Sequence, residues 1–326
     1  MSSSALHRAL QALIGDAGLI YVDCGARKGR APRPFRALKN VVYIGIDADA
    51  AECARLNASA RPRHQYIPAT LGRCAEPRTF RVTHSPACAS LLEPDHAFLS
   101  QFGELANGFH VEREIAVATV PLDDCLAAHR VPRADFLELD TQGSELEILA
   151  GAERALHDTV VGIQTEVEFA PMYVRQPLFA DVDAFLRARG FQLFDLSRYR
   201  ARRGAVDAAV STRGQLLWGH ALYLRDYRTL SPPMAARLAA VAALLDIPDL
   251  AMAILDDLSG SAPQDGERRA ARRAREVLRR ELTPGPITRL IDRFGGARWS
   301  QTYRRVCGFG EDAELSASRQ RATWRS

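Results

Sequence analysis

Residues 19–49 read LIYVDCGARKGRAPRPFRALKNVVYIGIDAD and contain two apolar runs that each end in an acidic residue. The first run ends at Asp23, the second ends at Asp47, and Gly25 and Gly29 follow the first run. This pattern predicts two adjacent parallel strands joined by a glycine turn and a helix, with a nucleoside at their carboxyl ends. Asp47 falls about 20 residues beyond the turn, where an acid commonly binds the ribose hydroxyls.

The residue before the glycine turn distinguishes between two classes of ligand. A dinucleotide-binding turn reads G-x-G-x-x-G, and its backbone N–H groups hold a pyrophosphate at a helix N-terminus. Here Asp23 takes the place of the first glycine. A carboxylate repels a pyrophosphate but attracts a cation such as the ammonium or sulfonium group of S-adenosylmethionine. The turn favours this cofactor over NAD(P), and a capping turn without any ligand is the structural alternative.

The composition indicates a globular protein of 326 residues with a basic end. No apolar run reaches the ~18 residues that span a bilayer. The N-terminus indicates an amphipathic helix and no signal peptide, so we expect a cytoplasmic protein. The six cysteines form no C-x-x-C pair, which argues against a disulfide framework or a zinc site. From residue 261 onward there are 15 Arg and eight acidic residues, so the positive charge is concentrated there.

Apolar strand segments alternate with helical segments through residues 1–228, which we predict to be one α/β domain. The seven segments that predict strands of one sheet are 19–22, 41–46, 64–68, 135–139, 160–167, 191–196 and 216–224. We expect a doubly wound, mostly parallel, Rossmann-like sheet. Its last strand should be antiparallel, because only a loop precedes it.

Three further features complete the predicted architecture. Segments 79–84 and 114–120 alternate polar and apolar residues, as antiparallel edge strands do. Residues 143–156 have the spacing of a single helix. We expect residues 229–326 to form a helical, basic C-terminal region, and the sequence SPP at 231–233 marks its beginning.

The segment DFLELDTQGSELEILAGAERAL resembles the core motif of FkbM-type methyltransferases, a branch of the class I S-adenosylmethionine-dependent enzymes. Asp140, Gly143, Glu145 and Gly151 follow the order of that motif. The resemblance spans roughly residues 17–225 and does not extend beyond residue 230. Its other parts are DCGARKG (23–29), GIDAD (45–49), ASLLEPD (89–95), VPLDDCL (120–126) and EVEFAPMYVRQPLFADVDAFLRARGF (166–191).

The resemblance implies methyl transfer from S-adenosylmethionine to a hydroxyl of a natural product, sugar or glycolipid. The residues that the resemblance implies for cofactor binding are Asp23, Gly25, Arg27, Gly29, Asp47, Asp49, Thr70, Leu71, Asp140 and Gln142. The first glycine turn would line the methionine end of the cofactor, and Asp47 would bind the ribose. Thr70 and Leu71 would flank the adenine, while Asp140 and Gln142 would face the methyl group. Ser90 matches a serine of the family without an assigned role.

Methyl transfer to a hydroxyl requires either a general base or a metal ion that lowers the pKa of the hydroxyl. Asp140 and Glu166 are the predicted catalytic residues, because each follows or ends a strand at the expected ligand crevice. In the alternative version, these two carboxylates bind Mg²⁺, which prefers oxygen ligands. Single histidines, His220 among them, are more commonly surface or core residues.

The expected partner is a small-molecule or carbohydrate acceptor. The basic segment 268–280 could follow phosphates, but aromatic residues are sparse there, so no nucleic acid is expected. The alternative function is a cofactor-binding, non-catalytic module that assembles through its C-terminal helices as a homo-oligomer or with another protein.

Overall fold

A computed structural model describes residues 4–27, 29, 31–206 and 209–282, and these residues form eleven strands in two sheets. Residues 283–326 of the predicted basic region lie outside the described residues. The strands are β1 (Leu19–Cys24), β2 (Val41–Asp47), β3 (His64–Pro68), β4 (Thr70–Leu71), β5 (Pro77–Thr83), β6 (Val111–Val120), β7 (Phe136–Leu139), β8 (Gly162–Glu168), β9 (Phe191–Leu196), β10 (Tyr199–Ala201) and β11 (Gln215–Arg225).

The main sheet has the strand order β10-β11-β8-β7-β1-β2-β3, and β9 also pairs with β11. The strands from β3 to β8 in this order are parallel, whereas β11 is antiparallel to β8, β9 and β10. The prediction of a mostly parallel sheet with an antiparallel last strand is therefore confirmed. The sheet has eight strands and not seven. The additional strand is the three-residue β10, which pairs with the first half of β11, whereas β9 pairs with the second half.

The predicted edge strands belong to a separate sheet with the order β4-β6-β5. β5 and β6 are antiparallel to each other and β5 lies at an edge, as predicted, whereas β6 lies between β4 and β5 and is not an edge strand. The side chains of β6 are largely exposed over residues 111–117, so this strand is not packed between helices as a strand of the main sheet is. β4 joins the small sheet to the main one, because it directly follows β3 and pairs with the end of β6.

Twelve α-helices occupy the described residues. They are α1 (Ser4–Ile14), α2 (Arg33–Arg36), α3 (Ala50–Ala58), α4 (His96–Leu99), α5 (Glu104–Gly108), α6 (Leu122–Ala128), α7 (Glu145–Ala150), α8 (Glu153–Asp158), α9 (Phe179–Arg187), α10 (Pro232–Leu244), α11 (Pro248–Ser261) and α12 (Asp265–Leu282). None of them is long and apolar enough to cross a bilayer.

The single helix predicted over 143–156 is two helices, α7 and α8, separated at Gly151 and Ala152. The break coincides with a close contact between backbones. A Cβ atom added to Gly151 would lie 2.4 Å from the carbonyl oxygen of Gly72, which follows β4. Periodicity in the sequence does not reveal such a contact, because it joins segments about 80 residues apart.

Helices cover both faces of the main sheet and divide its core into two clusters. Along β1, Leu19 and Tyr21 point into a cluster with α1 and with α10, α11 and α12. Ile20 and Val22 point to the other face, which packs on α6, α7, α8 and α9. The C-terminal helices therefore share one hydrophobic cluster with the sheet. A domain boundary near residue 228 stays a prediction. Asp23 continues the alternation of Tyr21 and lies on the first face.

Candidate active site

Asp23 lies near the carboxyl end of β1, where it is paired with Gly45 of β2 on one side and Glu138 of β7 on the other. Its side chain is buried and accepts a hydrogen bond from the hydroxyl of Tyr43. Burial, followed by the charge of Glu138, raises the pKa of Asp23 to about 8, although the Tyr43 hydrogen bond opposes the shift. A cation near this carboxyl group would favour its ionised form.

The turn after β1 leaves no room for side chains at its two glycines. Gly25 has a φ of +94°, and an added Cβ would lie 2.1 Å from the carbonyl oxygen of Asp140. A Cβ on Gly29 would lie 2.4 Å from the hydroxyl oxygen of Tyr43 and 2.9 Å from Oδ2 of Asp23. The backbone N–H of Gly25 donates to the carbonyl oxygen of Ile46 at 2.9 Å, which holds the turn against β2. The turn is therefore closely packed between Asp23 and Asp140.

The two acids after β2 differ in what they contact. Asp49 caps α3, since its Oδ1 accepts a hydrogen bond from the N–H of Glu52 at 3.0 Å. Asp47 is half buried, and its Oδ1 accepts from the N–H of Asp49 at 2.8 Å. Burial raises the pKa of Asp47, while the nearby charge of Arg27 opposes the shift. Asp47 is thus the acid placed at the strand end, and Asp49 completes the helix start.

Thr70 and Leu71 form β4, immediately after β3 and next to the end of β2. The N–H of Ala69 donates to the carbonyl oxygen of Asp47 at 3.0 Å, which ties this segment to the proposed ribose-binding acid. Leu71 is buried in the second core cluster, whereas Thr70 is partly exposed. Of these two residues, Thr70 has the more accessible side chain.

A second polar cluster lies at the carboxyl ends of β7 and β8 and on the adjacent middle part of β11, on the same face of the sheet as Asp23. One ligand-type atom each from Asp140, Glu166 and His220 lies within 4.8 Å of the other two. His220 is directly paired with Glu166 across β8 and β11. Asp140 is exposed, Glu166 is buried, and His220 is intermediate. Burial and the charge of Asp140 raise the pKa of Glu166 well above its usual value.

The two carboxylates are bridged by the side-chain amide of Gln142. Its Nε2 donates to Asp140 Oδ1 at 3.0 Å and to Glu166 Oε2 at 2.6 Å. Gln142 has a φ of +57°, a conformation that costs free energy for a residue other than glycine. Ser90 Oγ donates to the Gln142 carbonyl oxygen at 2.6 Å, and the Tyr173 hydroxyl lies 3.2 Å from Gln142 Oε1. These contacts hold the amide between the carboxylates and give Ser90 a positioning role.

Glu145 stabilises the loop after β7 from the first turn of α7. Its Oε1 accepts from the N–H of Thr141 at 2.7 Å, and its Oε2 accepts from the N–H of Gly143 at 2.9 Å. Burial raises the pKa of Glu145 to about 7. Because both oxygens are engaged by the loop that carries Asp140 and Gln142, the role of Glu145 is structural.

Of the acidic and basic residues on this face, Glu138 and His220 escaped the sequence-based predictions, whereas Glu168 was considered only as a neighbour of Glu166. Glu138 accepts a hydrogen bond from the hydroxyl of Tyr21, and burial raises its pKa. Glu168 is buried, and its Oε1 has no hydrogen-bond partner among the described residues. The position of His220 next to Glu166 could be recognised only from the register in which β8 and β11 pair. A spacing of two residues, as from Glu138 to Asp140 and from Glu166 to Glu168, is the signal that could have placed the acids on one face.

A cavity of about 830 Å³ lies between the small sheet and α7. Its lining includes Arg78, Arg81 and Leu92, and none of the clustered carboxylates. Leu92 separates the cavity from the loop after β7, since a Cβ added to Gly143 would lie 2.8 Å from Leu92 Cδ1. The residues that line the cavity therefore come mostly from the segment between β4 and α6, and not from the strand ends.

A family model described as "Methyltransferase FkbM domain" matches residues 23–193, more than half of the chain. Among curated proteins, none matches the sequence. The matched residues contain the glycine turn, Asp47, Asp140 and Glu166, whereas His220 lies outside them.

Similar solved structures include the magnesium protoporphyrin IX methyltransferase ChlM from Synechocystis PCC 6803 with bound S-adenosylmethionine. It is 12% identical, with a TM-score of 0.34, over 68% of this chain and 80% of that chain. The 1,6-didemethyltoxoflavin-N1-methyltransferase of Burkholderia thailandensis is 14% identical, with a TM-score of 0.31, over 68% and 79%. Such low identities and TM-scores do not indicate which acceptor this chain methylates.

Proposed function

The chain belongs to the FkbM family of S-adenosylmethionine-dependent methyltransferases, and we propose that it methylates a hydroxyl oxygen. The observation that carries this proposal is the contact between the glycine turn and the carboxylate cluster. Gly25 packs against the Asp140 carbonyl, and the N–H of Asp140 donates to the carbonyl oxygen of Cys24 at 3.0 Å. A cofactor held by the turn would therefore lie next to Asp140 and Glu166.

The residues around the turn fit the cofactor. A side chain at Gly25 or Gly29 would fill the space of the turn, and the buried Asp23 carboxyl suits a cationic group. Asp23 with the two glycines would hold the methionine end, and Asp47 would accept hydrogen bonds from the ribose hydroxyls. The bound cofactor supplies a methyl group on a sulfonium, with a neutral thioether as leaving group.

The positions of the other predicted cofactor residues suggest a role for each of them. Arg27 is exposed beside Asp47, where it would offset the charge of that acid. Thr70 and Leu71 would flank the adenine beyond β3. Asp49 would act through the start of α3, and Gln142 would set the position of Asp140.

The acceptor hydroxyl must lose a proton as its oxygen attacks the methyl carbon. Asp140 and Glu166 are the groups proposed to take part in this step, and Gln142 keeps them together. A buried carboxyl group whose pKa is raised is a stronger base when ionised than an exposed one. In the alternative mechanism, Asp140 and Glu166 would bind Mg²⁺, which would lower the pKa of the acceptor hydroxyl. A natural product, sugar or glycolipid is the proposed acceptor, and a cytoplasmic location stays a prediction.

The transferred group can be followed with S-adenosylmethionine that carries a deuterated methyl group. We expect acceptors with a free hydroxyl, such as simple glycosides and polyketide alcohols, to gain that methyl on oxygen, as found by mass spectrometry and NMR. The matched acceptors with the hydroxyl replaced by an amine or by hydrogen should remain unlabelled. Label on nitrogen or carbon, with none on oxygen, would contradict the proposal.

A non-catalytic partner module is the second candidate. The observation in its favour is the basic helix α12, on which Arg269, Arg272 and Arg273 are exposed. Such a module would bind the cofactor and label no acceptor in the same experiment. Homo-oligomer formation or a protein partner through these helices stays a prediction.

A further inference from the structure

We propose that Asp140, Glu166 and His220 form a binding site for a divalent transition-metal ion. The three ligand atoms lie within 4.8 Å of one another. Three ligands bound to one ion at about 2.1 Å lie roughly 3 to 3.6 Å from one another, so these side chains would have to close by about an ångström. The third ligand comes from β11, which the family model does not cover.

The charges around the three ligands favour a cation. Glu166 and Glu168 are two residues apart on β8, so both side chains point to the face that carries Asp140. Glu168 is 2% exposed, and its Oε1 is buried without a hydrogen-bond partner among the described residues. Its carboxylate is near enough to Asp140 and Glu145 to be repelled by both. Buried carboxylates of this kind are stabilised by a bound cation.

The groups behind the ligands hold them in one arrangement, as metal sites require. Gln142 donates to Asp140 at 3.0 Å and to Glu166 at 2.6 Å, which keeps the two carboxylates side by side. The ring of His220 stands edge-on to the ring of Tyr199, with 5.6 Å between centroids and 89° between planes. The imidazole is therefore oriented by an aromatic neighbour and not only by its backbone.

The donor set selects the class of ion. Mg²⁺ and Ca²⁺ prefer oxygen ligands alone, whereas an imidazole nitrogen beside two carboxylates suits Mn²⁺, Fe²⁺ or Zn²⁺. A cation here would stabilise the negative charge that develops on an acceptor oxygen. This catalytic consequence rests on the proposed function, but the metal site itself does not.

Calorimetric titration of the full chain with Mn²⁺, after treatment with a chelator, tests the site directly. We expect one ion per chain, weaker binding of Mg²⁺, and a loss of affinity of more than about tenfold in His220→Asn and in Glu166→Gln. The matched control is His84→Asn, because His84 lies 3.0 Å from Glu112 in an exposed pair. This variant should bind Mn²⁺ as the unmodified chain does.

Binding of S-adenosylmethionine, measured on the same preparations, separates this proposal from the proposed function. His220→Asn should keep its cofactor affinity and its circular dichroism spectrum while losing Mn²⁺. The metal site is refuted if the chain shows no saturable Mn²⁺ binding, or if His220→Asn binds it as tightly as His84→Asn. A chain that binds the cofactor but no Mn²⁺ would leave the methyltransferase proposal standing.

Discussion

Replacing Glu166 by Gln is expected to lower the rate of methyl transfer by about 100- to 10,000-fold, the usual contribution of a positioned acid–base group. Gln has nearly the shape of Glu, and its oxygen can still accept the hydrogen bond from Gln142. The substitution removes the negative charge that Glu166 needs either to accept the proton of the acceptor hydroxyl or to bind a cation. Because Glu166 is buried among like charges, losing its charge should not destabilise the fold.

Single-turnover measurements at saturating S-adenosylmethionine separate this effect from cofactor binding. The rate should fall, while the dissociation constant of the cofactor changes by less than about threefold, since Asp47 and the glycine turn are intact. Glu112→Gln is the matched control, because Glu112 is an exposed acid of the small sheet. A Glu166→Gln variant with the unmodified rate would exclude Glu166 from catalysis.

Replacing Asp135 by Asn is expected to reduce the free energy of unfolding by about 3–5 kcal/mol. Asp135 is completely buried just before β7. Both of its oxygens lie 3.0 Å from Nε of Arg133, and Oδ1 lies 2.9 Å from Nε of Arg237 on α10. Oδ2 also accepts from the N–H of Ile20 at 2.7 Å. An amide at this position would leave two guanidinium groups without a counter-charge and would weaken the attachment of α10.

Urea unfolding followed by circular dichroism measures this loss. Asp124→Asn is the matched control, because the Asp124–Arg154 pair is exposed and should contribute less than about 1 kcal/mol. Equal stability of the two variants would mean that the buried cluster does not join α10 to the sheet.

The positions of the proposed cofactor-binding residues could be predicted from sequence, because these residues are close together in the chain. Asp23, Gly25 and Gly29 form one turn, and Asp47 ends the next strand. Alternation and strand length were enough to place them at the carboxyl ends of parallel strands. The fold class followed from the same regularity, and the helical character of the region after residue 228 was predicted as well.

The carboxylate cluster could be predicted only in part, because its members come from three strands. Asp140 and Glu166 followed from their positions at predicted strand ends, whereas His220 depends on the register by which β11 pairs with β8. The positioning roles of Ser90 and Gln142 depend on a backbone at φ +57°, which the sequence does not indicate. Likewise, β10 has only three residues, too few for a strand pattern in the sequence, and it is a strand because it pairs with β11.

Calorimetric titration of the full chain with S-adenosylmethionine is the most direct test that this sheet edge binds the cofactor. We expect one site per chain, and we expect Asp47→Ala to weaken binding by about 10- to 100-fold, the loss of charged hydrogen bonds to the ribose. Asp195→Ala, an exposed acid on β9, should bind as the unmodified chain does. Absence of binding at millimolar S-adenosylmethionine, or equal affinity in the Asp47→Ala and Asp195→Ala variants, would contradict the assignment of this edge.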